Sequence, residues 1–285
     1  MVRGFKLVNE KGQEISMMDI ENYCLLTEPQ GLGFSYEAEY ERLGYTFIQK
    51  ARRIEQGQMP VTINFMNYDK YRKLIDFIED SEKLKLVYKL PYRNKEKEYF
   101  RDVDINILTK TEIQTNKVMS ESATIDFLSL WYEEKTLTYN LDNAEDDIIR
   151  WDFEWDSKFS DYDVSNINLI NEGHVQAPIL IEVDGRVVNP RFELWVEGVK
   201  YQTVPINATI EEYEKLIYGT KEADFYIRKQ NTDGTLEDLF KDGVISIEND
   251  NVIRIPKRKS CELRLLADTE IQKAKITMFV YYIAV

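Results

Sequence analysis

The only histidine of the chain, His174, decides most of the catalytic chemistry that the sequence can support. It lies between Gly173 and Val175 in a predicted turn, so a Ser-His-Asp triad or a histidine metal site would rest on this one side chain. Gly31-Leu32-Gly33 begins the glycine pattern of dinucleotide-binding loops, but Tyr36 stands where its last glycine is required. The sequence also has no Cys-x-x-Cys pair and no phosphate-binding Gly-Lys loop. We therefore predict no catalytic, cofactor-binding or metal-binding residues, and a structural role for His174.

Paired carboxylates between residues 151 and 156 are the strongest remaining candidate for enzymatic chemistry. The sequence Trp-Asp-Phe-Glu-Trp-Asp alternates strictly from Trp151 to Asp156, so a strand would place its aromatic rings on one face and its acids on the other. Two acids about 5 to 10 Å apart can hydrolyse a glycoside, and exposed aromatic rings can stack on sugars. Such strands more often bury the rings and expose the acids, so we predict a structural strand.

Residues 229–234 imitate the start of a calcium-binding loop. Lys229 occupies the first ligand position, however, and Phe240 stands where a bidentate Glu would close the site. Asp233-Gly234 is also a strong signal for a tight turn between two strands. A hairpin turn is therefore the prediction here.

An excess of acidic residues limits the partners of the chain. The formal net charge is -14 and the pI is about 4.8, whereas binding to a nucleic-acid backbone needs clustered Lys and Arg. The longest basic run, Lys257-Arg258-Lys259, fits a solvated turn better than a binding patch. We expect no stable binding to nucleic acid.

Neither a membrane nor an oxidising compartment is indicated by the sequence. No apolar run approaches the roughly 20 residues that span a bilayer, and the first ten residues lack the apolar segment of a secretory signal. Cys24 and Cys261 are the only cysteines and lie far apart in sequence, so a disulfide framework is not expected. These features predict folding in a reducing cytoplasm and no membrane partner.

A chain of 285 residues exceeds the usual size of one hydrophobic core, so two domains are expected. The first is predicted over residues 1–135 as a β-sheet or sandwich with one packed helix. Tyr71, Leu74 and Ile78 recur at helical spacing, with Asn67 available as the N-cap. Strands are predicted at residues 61–65, 84–90, 99–107 and 123–131, after a first hairpin that contains residues 5–8 and 15.

Acidic residues mark a solvated linker over residues 136–149, and short strands dominate residues 150–285. A helix of one or two turns is predicted where Thr209-Ile210-Glu211-Glu212 forms a capping box before Tyr213, Leu216 and Ile217, with Gly219 as its stop. Turn residues separate the predicted strands, which is typical of an antiparallel sandwich. The strands are predicted at residues 179–183, 192–196, 225–228, 244–247, 252–255, 261–266 and 276–282. The fold class is therefore mainly β with few helices.

Residues 171–198 hold the most informative pattern, in which glycine and proline divide short strands. An Asn-x-Gly sequence, then Pro178, Gly185 and Asn189-Pro190, precede a strand that ends in Gly198. This segment resembles the second domain of distal tail proteins from siphophages of Gram-positive hosts. The first domain adds further similarities, at Gly31-Leu32-Gly33, the aromatic and basic stretch up to Arg53, residues 71–78, residues 84–88 and Ser129-Leu130-Trp131-Tyr132.

The resemblance implies a galectin-like β-sandwich for the second domain and a structural function, not an enzymatic one. Members of this family form a hexameric ring at the tip of the tail tube, with the first domains lining the channel and the second domains projecting outward. The implied partners are the major tail tube protein, the tape-measure protein and a tail-associated or baseplate protein. The chain would be made in the bacterial host cytoplasm and reside at the distal end of the tail in the virion. A net negative protein attracts phosphate weakly, which is consistent with DNA passing through the ring.

Residues 36–58 are our candidate for the contact between subunits. The segment mixes aromatic residues such as Tyr40, Tyr45 and Phe47 with Arg42 and Arg52, and it also contains Lys50 and Arg53. Enrichment in aromatic residues and Arg is typical of protein interfaces. An ordinary hairpin is equally consistent with the sequence.

Glycan binding by the second domain is the alternative function. Asn189-Pro190-Arg191-Phe192 resembles part of the sugar-binding strand of galectins, and Trp195 and Glu197 follow. The galectin histidine is replaced by Val187, and Arg191 is too close to Trp195 to reproduce the usual layout. The turn chemistry of Gly, Asn and Pro explains this segment better than a binding site does.

Overall fold

The structure, a computed structural model, describes residues 3–92, 95–112, 118–140, 165–222, 224–242, 252–269, 271 and 273–285. The described residues form antiparallel strands and one α-helix, which confirms the predicted fold class. The chain divides into two compact units. The first is Met1–Glu133 together with Tyr282–Val285, and the second is Glu134–Tyr281.

The first unit is a sheet with a separate two-stranded ribbon and one helix. Its sheet has the order β2-β1-β7-β8-β9-β6-β3, and β10 pairs with β8 through Tyr132 and Phe100. β4 and β5 pair with each other. The elements are β1 (Gly4–Asn9), β2 (Glu14–Ser16), β3 (Leu25–Thr27), β4 (Tyr36–Leu43), β5 (Thr46–Ile54), β6 (Gln58–Phe65), α1 (Tyr68–Glu79), β7 (Leu84–Tyr92), β8 (Lys95–Leu108), β9 (Met119–Phe127) and the first three residues of β10 (Trp131–Asn140).

Strict alternation of apolar residues builds the core of this unit. In β6 the buried side chains are those of every second residue from Met59 to Phe65, as expected for a strand with one face in a core. The helix α1 covers this core with Leu74, and the ring of Tyr71 meets the ring of Phe65 edge-on at 5.4 Å. The Asn67 side chain accepts a hydrogen bond from the Lys70 backbone N–H, which confirms the predicted N-cap.

Gly31 is held in a position that no other residue fits. Its φ is +76°, in the left-handed region, and a Cβ atom there would lie 2.2 Å from the carbonyl oxygen of Gln58. The neighbouring Gln30 N–H donates to the Pro60 carbonyl oxygen at 3.1 Å, which holds this loop against β6. Around Gly33 there is open space, so only the first glycine of the Gly-Leu-Gly motif has a packing reason.

The second unit contains two facing sheets, with strand orders β19-β18-β17-β12-β22 and β11-β21-β14-β15. β20 pairs with the start of β12, and β13 pairs with β16. Its strands are β11 (Ser165–Ile170), β12 (Ala177–Asp184), β13 (Val187–Val188), β14 (Arg191–Val196), β15 (Val199–Pro205), β16 (Thr209–Ile210), β17 (Lys215–Lys221), β18 (Asp224–Gln230), β19 (Leu236–Asp238), β20 (Arg254–Ile255), β21 (Ser260–Leu266) and β22 (Lys273–Tyr282), with a 3-10 turn at Leu239–Asp242.

The inner faces of these two sheets form one apolar core. Phe192 of β14 and Tyr218 of β17 belong to different sheets, and their ring centroids are 5.3 Å apart. Both side chains are fully buried, as is Ile181 of β12. Alternating inward side chains from two sheets are what define a sandwich core, so the predicted antiparallel sandwich is confirmed.

The short helix predicted from Thr209 to Gly219 is wrong beyond a single turn. Thr209–Ile210 is the short strand β16, a single turn follows at residues 211–214, and strand β17 then begins. The Glu214 side chain accepts from the Glu211 backbone N–H at 2.9 Å, so the residues that suggested a capping box close one turn only. Leu216 and Tyr218 then enter the core with a period of two, which is the spacing of a strand.

Gly219 was expected to end that helix but lies in the middle of β17. It pairs with Tyr226 of β18, and a Cβ atom on Gly219 would lie 2.7 Å from the Tyr226 ring. The glycine therefore makes room for an aromatic ring that lies across the strand. Its physical role is close packing, not helix termination.

Several sequence predictions fall partly or wholly outside the described residues. Residues 136–140 of the predicted linker continue strand β10, while residues 141–149 lie outside the described part of the chain. The alternating segment from Trp151 to Asp156 and the strand predicted at residues 244–247 also lie outside it. The remaining predicted strands of the second unit match β12, β14, β18, β20, β21 and β22.

Asn171 joins three segments of the second unit. Its side-chain Nδ2 donates to the carbonyl oxygens of Val175 and Ile255 at 2.8 and 2.9 Å, and its Oδ1 accepts from the Gly173 N–H at 2.9 Å. The side chain is fully buried. A Cβ atom on Gly173 would lie 2.5 Å from the carbonyl oxygen of Tyr281. The Asn-x-Gly motif is therefore a buried turn that fastens strand ends together.

We expect Gly31→Ala to lower the free energy of unfolding by about 2 to 4 kcal/mol, because alanine adds backbone strain at positive φ and a collision with a carbonyl oxygen. Gly33→Ala is the matched control and should change stability by less than about 0.5 kcal/mol. Urea denaturation of both variants makes the comparison. Equal stabilities of the two variants would contradict the packing role of Gly31.

We expect Asn171→Ala to cost about 2 to 4 kcal/mol, because it removes three hydrogen bonds and leaves buried backbone groups unpaired. Asn168→Ala, at an exposed position of the neighbouring strand β11, should be close to neutral. Thermal and urea denaturation of the full chain measure the difference. A loss of similar size in both variants would show that the Asn171 hydrogen bonds contribute little.

Candidate interaction surface

Strands β4 and β5 form a two-stranded ribbon that belongs to no larger sheet among the described residues. We refer to residues 36–54 as the ribbon. Gly44 and Tyr45 form its tip, and Gly44 has a φ of +64°. The Arg42 Nε donates to the Gly44 carbonyl oxygen at 2.8 Å, which closes the turn. The segment singled out in the sequence as the subunit contact is therefore this ribbon together with the link to β6.

The ribbon exposes large apolar side chains along much of its length. Tyr45 is 98% exposed and Phe47 is 70% exposed, and Tyr40, Leu43 and Ile48 are exposed as well. A two-stranded hairpin is only marginally stable in water, and an exposed apolar patch commonly marks an interaction site. The ribbon is thus suited to bury its side chains against another molecule.

Hydrogen bonds fasten the base of the ribbon to the first unit. The Phe127 N–H donates to the Gly57 carbonyl oxygen at 3.0 Å, and the Gln56 side-chain amide donates to the Phe127 carbonyl oxygen at 3.2 Å. Ser35 and Glu55 are joined by a side-chain hydrogen bond of 2.7 Å. The ribbon is therefore held at its base, while most of its side chains are exposed.

A buried guanidinium supports this base. The Arg101 guanidinium carbon lies 3.5 Å from the centroid of the Phe127 ring, and its Nε donates to the Ser129 carbonyl oxygen at 2.7 Å. Desolvation by burial lowers the pKa of Arg101 to about 10, so the group stays charged at neutral pH. A cation against an aromatic face is a favourable contact when it is desolvated. Phe127 is thereby fixed between Arg101 and the ribbon base.

The ribbon and its link to β6 are together electrically neutral in an acidic chain. Residues 36–58 contain four carboxylates and four cationic side chains, whereas the whole chain has a net charge of -14. The guanidinium of Arg52 lies 3.4 Å from the centroid of the Tyr36 ring, and Lys50 lies 3.0 Å from Glu41. Local neutrality lowers the repulsion that an acidic partner or a second copy would otherwise meet here.

Of the residues that resembled a galectin strand, Arg191 and Trp195 lie on the outer face of β14, whereas Phe192 faces the core. The Glu193 carboxylate, although buried, accepts from Trp195 Nε1 at 3.1 Å and from Lys200 Nζ at 2.6 Å, and Arg191 Nε is 3.4 Å away. Burial raises the pKa of Glu193, but the hydrogen bonds from Lys200 and Trp195 outweigh it and leave the pKa below its ordinary value. This carboxylate is therefore already bound by the chain itself.

Trp195 is also covered by its own chain. The guanidinium of Arg264 lies 3.9 Å from the centroid of the Trp195 ring. Glu197 forms an ion pair of 3.2 Å with Lys259, and Val187 is fully buried in β13. Arg264 covers one face of the Trp195 ring. A sugar ring can stack on that face only after Arg264 has moved away.

The sequence did not predict a role for Glu193 or Lys200, although the alternation of β14 gave an indication for Glu193. Because β14 alternates, Glu193 had to share the outer face with Arg191 and Trp195. The contact with Lys200 depends on the register of β15 against β14, which includes a bulge. Arg264 comes from β21, far along the chain. Such non-local contacts have no signal in a single sequence.

The basic run and the loop that imitates a calcium site are turns. Arg258 has a φ of 58°, and its N–H donates to the Asn171 carbonyl oxygen at 2.8 Å. Asp233 accepts hydrogen bonds from Thr235 within the turn that joins β18 to β19, as the hairpin prediction required. Within the described ranges, no group of three or more His, Cys, Asp or Glu side chains is arranged to hold a metal ion.

His174 and the two cysteines have structural surroundings. The His174 N–H donates to the Tyr281 carbonyl oxygen at 2.8 Å. Cys24 and Cys261 are both buried and reduced, and burial raises the pKa of the Cys24 thiol to about 12. Across the part of the chain that the structure describes, no helix is long and apolar enough to cross a membrane.

Comparison with known proteins agrees with this geometry. Residues 4–128 match the family described as "Distal tail protein, N-terminal domain". The chain is 22% identical to the distal tail protein of Lactococcus phage SK1 over 245 residues, which is 80% of each chain.

Solved structures share the fold. A chain of the phage P2 baseplate in its activated conformation with Ca has a TM-score of 0.71 at 14% identity, with 100% of both chains covered. The Dit protein of phage SPP1, described as a hub of the adsorption apparatus in phages that infect Gram-positive hosts, has a TM-score of 0.58 at 10% identity, with 96% of this chain and 98% of that chain covered. Residues 4–128 therefore match the N-terminal domain of distal tail proteins, the chain as a whole is similar to siphophage distal tail proteins, and it is a component of the virion, at the distal end of the tail.

Proposed function

We propose that this chain is the subunit of a hexameric ring that joins the tail tube to the adsorption apparatus and lets DNA pass. The observation that carries the proposal is the ribbon, which exposes Tyr40, Tyr45 and Phe47 while its base is fixed to the first unit. A subunit with one such exposed element can bury it on the next subunit, and repeated head-to-tail contacts close into a ring.

The proposed partners are those of a structural hub. The first unit meets the major tail tube protein and the tape-measure protein, and the second unit offers its surface to a tail-associated or baseplate protein. No catalytic step is assigned to the chain. The net charge of -14 supports DNA passage, because an acidic ring has little attraction for phosphate.

The mass of the purified full chain in solution is the direct test of the ring. We expect a species near six times 33.7 kDa, either alone or after addition of the tail tube protein. Light scattering and native mass spectrometry measure it. A strict monomer under both conditions, at every concentration tested, would remove the proposal.

A ribbon variant ties the assembly to this surface. The double substitution Tyr45→Ser and Phe47→Ser removes exposed apolar area and should weaken ring formation by at least about tenfold in concentration. Tyr213→Ser is the matched control, since Tyr213 is 79% exposed but lies in the second unit. The control should assemble as the unchanged chain does. Equal assembly of both variants would place the contact elsewhere.

Recognition of host cell-wall glycans by the second domain is the second candidate function. It is favoured by Arg191, Glu193 and Trp195, which share one outer face of β14. Binding would require Arg264 to leave the Trp195 ring. If the proposal is correct, the full chain binds host cell-wall glycan, Trp195→Ala abolishes the binding, and Tyr213→Ala retains it. No binding at millimolar sugar would remove this candidate.

A further inference from the structure

The register of the ribbon sorts its side chains onto two chemically different faces. Residues paired directly across two antiparallel strands project to the same side, and the side alternates along each strand. One side of β4 is formed by Tyr36 and every second residue to Arg42, and the other side by Glu37 and every second residue to Leu43. The assignment of β5 follows from its partners in the ladder.

One side, which we name the cationic face, holds no acidic residue. Both of its charged residues, Arg42 and Arg52, are arginines. Its members are Tyr36, Ala38, Tyr40 and Arg42 from β4, with their partners Ile54, Arg52, Gln49 and Phe47 from β5. The stacking of Arg52 on Tyr36 at 3.4 Å agrees with this assignment, since both lie on this face.

The other side, which we name the acidic face, holds three of the four carboxylates of residues 36–58. Its members are Glu37, Glu39, Glu41 and Leu43 from β4, with their partners Arg53, Ala51, Ile48 and Thr46 from β5. Lys50 is the extra residue at the bulge opposite Glu39 and Tyr40, and it lies 3.0 Å from Glu41. The acidic face keeps an excess of negative charge even with Lys50 counted.

Apolar residues follow the same order on both faces. Near the tip, the cationic face carries Tyr40 and Phe47, and the acidic face carries Leu43 and Ile48. Arg42 is paired with Phe47 at the tip end and Arg52 lies nearer the base, while on the acidic face Glu41 is paired with Ile48 and Glu37 and Glu39 lie nearer the base. Two ribbons stacked in the same direction therefore bring Arg42 to the level of Glu41, and Arg52 to the level of Glu37 and Glu39.

We propose that the cationic face of one ribbon packs on the acidic face of the ribbon in the next copy of this chain. The inference rests on the proposed function, in that it assumes that the chain assembles with itself. A two-fold contact would place arginines against arginines or carboxylates against carboxylates, and like charges in contact oppose association. The contact is therefore heterologous, and each ribbon uses both faces, one for each neighbour.

Reversing the charge of one face is the first part of the test. The cationic-face variant carries Arg42→Glu and Arg52→Glu, and the acidic-face variant carries Glu39→Arg and Glu41→Arg. In either variant every contact joins faces of like charge, so the concentration needed for half assembly should rise by at least about tenfold at low salt. The difference should shrink at about 1 M salt, because screening then acts over a few ångströms.

Mixing the two variants is the second part. The acidic-face variant and the cationic-face variant offer each other opposite charges on both sides, so an equimolar mixture should assemble within about threefold of the unchanged chain. A chain with all four substitutions should assemble alone for the same reason. The four-substitution chain excludes a contact between identical faces, because those faces would still carry like charges in it, whereas the mixture would place opposite charges together in either arrangement.

A control variant distinguishes the effect of charge on the ribbon from the effect of the net charge of the chain. Arg186→Glu with Lys257→Glu makes the same change in net charge as the cationic-face variant, at exposed positions of the second unit, and should leave assembly unchanged. Circular dichroism and melting temperature should show that all variants fold, since the ribbon residues they alter are exposed.

The outcomes distinguish this inference from the proposed function. If the unchanged chain stays monomeric even with tail tube protein, both fail. If it forms a ring and the single-face variants form it equally well, or the mixture is not rescued, only the pairing of the two faces is overturned. Assembly that is unaffected while the cationic-face variant loses retention on double-stranded DNA would also overturn it, because that face would then bind nucleic acid.

Discussion

A β-strand must bury one of its faces, and this requirement organises almost every element of the structure. In the first unit, β6 turns Met59 through Phe65 at every second position into a core that α1 closes. In the second unit, two sheets turn their inner faces toward each other around Phe192 and Tyr218. The ribbon alone is left without a core on either side, within the described residues. The contact proposed with the next copy of this chain would supply that burial.

Three glycine and asparagine residues serve this packing. Gly31 lets the loop before β4 pass directly over the backbone of β6, and Gly219 leaves space for the ring of Tyr226. Asn171 satisfies the carbonyl oxygens of Val175 and Ile255, close to the point where β20 pairs with the start of β12. Packing explains why glycine or asparagine occupies each of these three positions, and no bound ligand is needed to explain it. They are the places where two pieces of backbone, or backbone and a ring, approach more closely than a side chain permits.

Sequence patterns correctly predicted the elements that are stabilised by interactions between residues close together in the chain. The spacing of Tyr71, Leu74 and Ile78 with a cap at Asn67 was sufficient for α1, because cap and apolar stripe lie within twelve residues. The same kind of signal failed at Thr209, where pairing of β17 with β12 and β18 overrides a capping sequence. The distal tail protein resemblance was recovered from many weak features in order. It did not depend on any catalytic group.

The candidate surface was predictable in composition but not in geometry. The mixture of aromatic and basic residues in residues 36–58 indicated an interface, yet an ordinary hairpin would have had the same composition. The exposure of Tyr45 and Phe47 depends on which strands pair with which, and the separation of charge onto two faces depends on the position of the bulge at Lys50. Both are properties of long-range register, which has no local signal.

The attachment of the ribbon gives it the mechanics of a lever. Strand β5 has nine residues, so at roughly 3.3 Å per residue the tip at Tyr45 lies about 30 Å from the base. A tilt of about 10° at the base would then displace the tip by about 5 Å, on the order of the spacing between paired strands. The contacts of Gln56 and Gly57 with Phe127, and of Phe127 with Arg101, therefore set the alignment of aromatic side chains far from them. A small change in the packing around Phe127 therefore produces a large displacement of the residues at the tip of the ribbon.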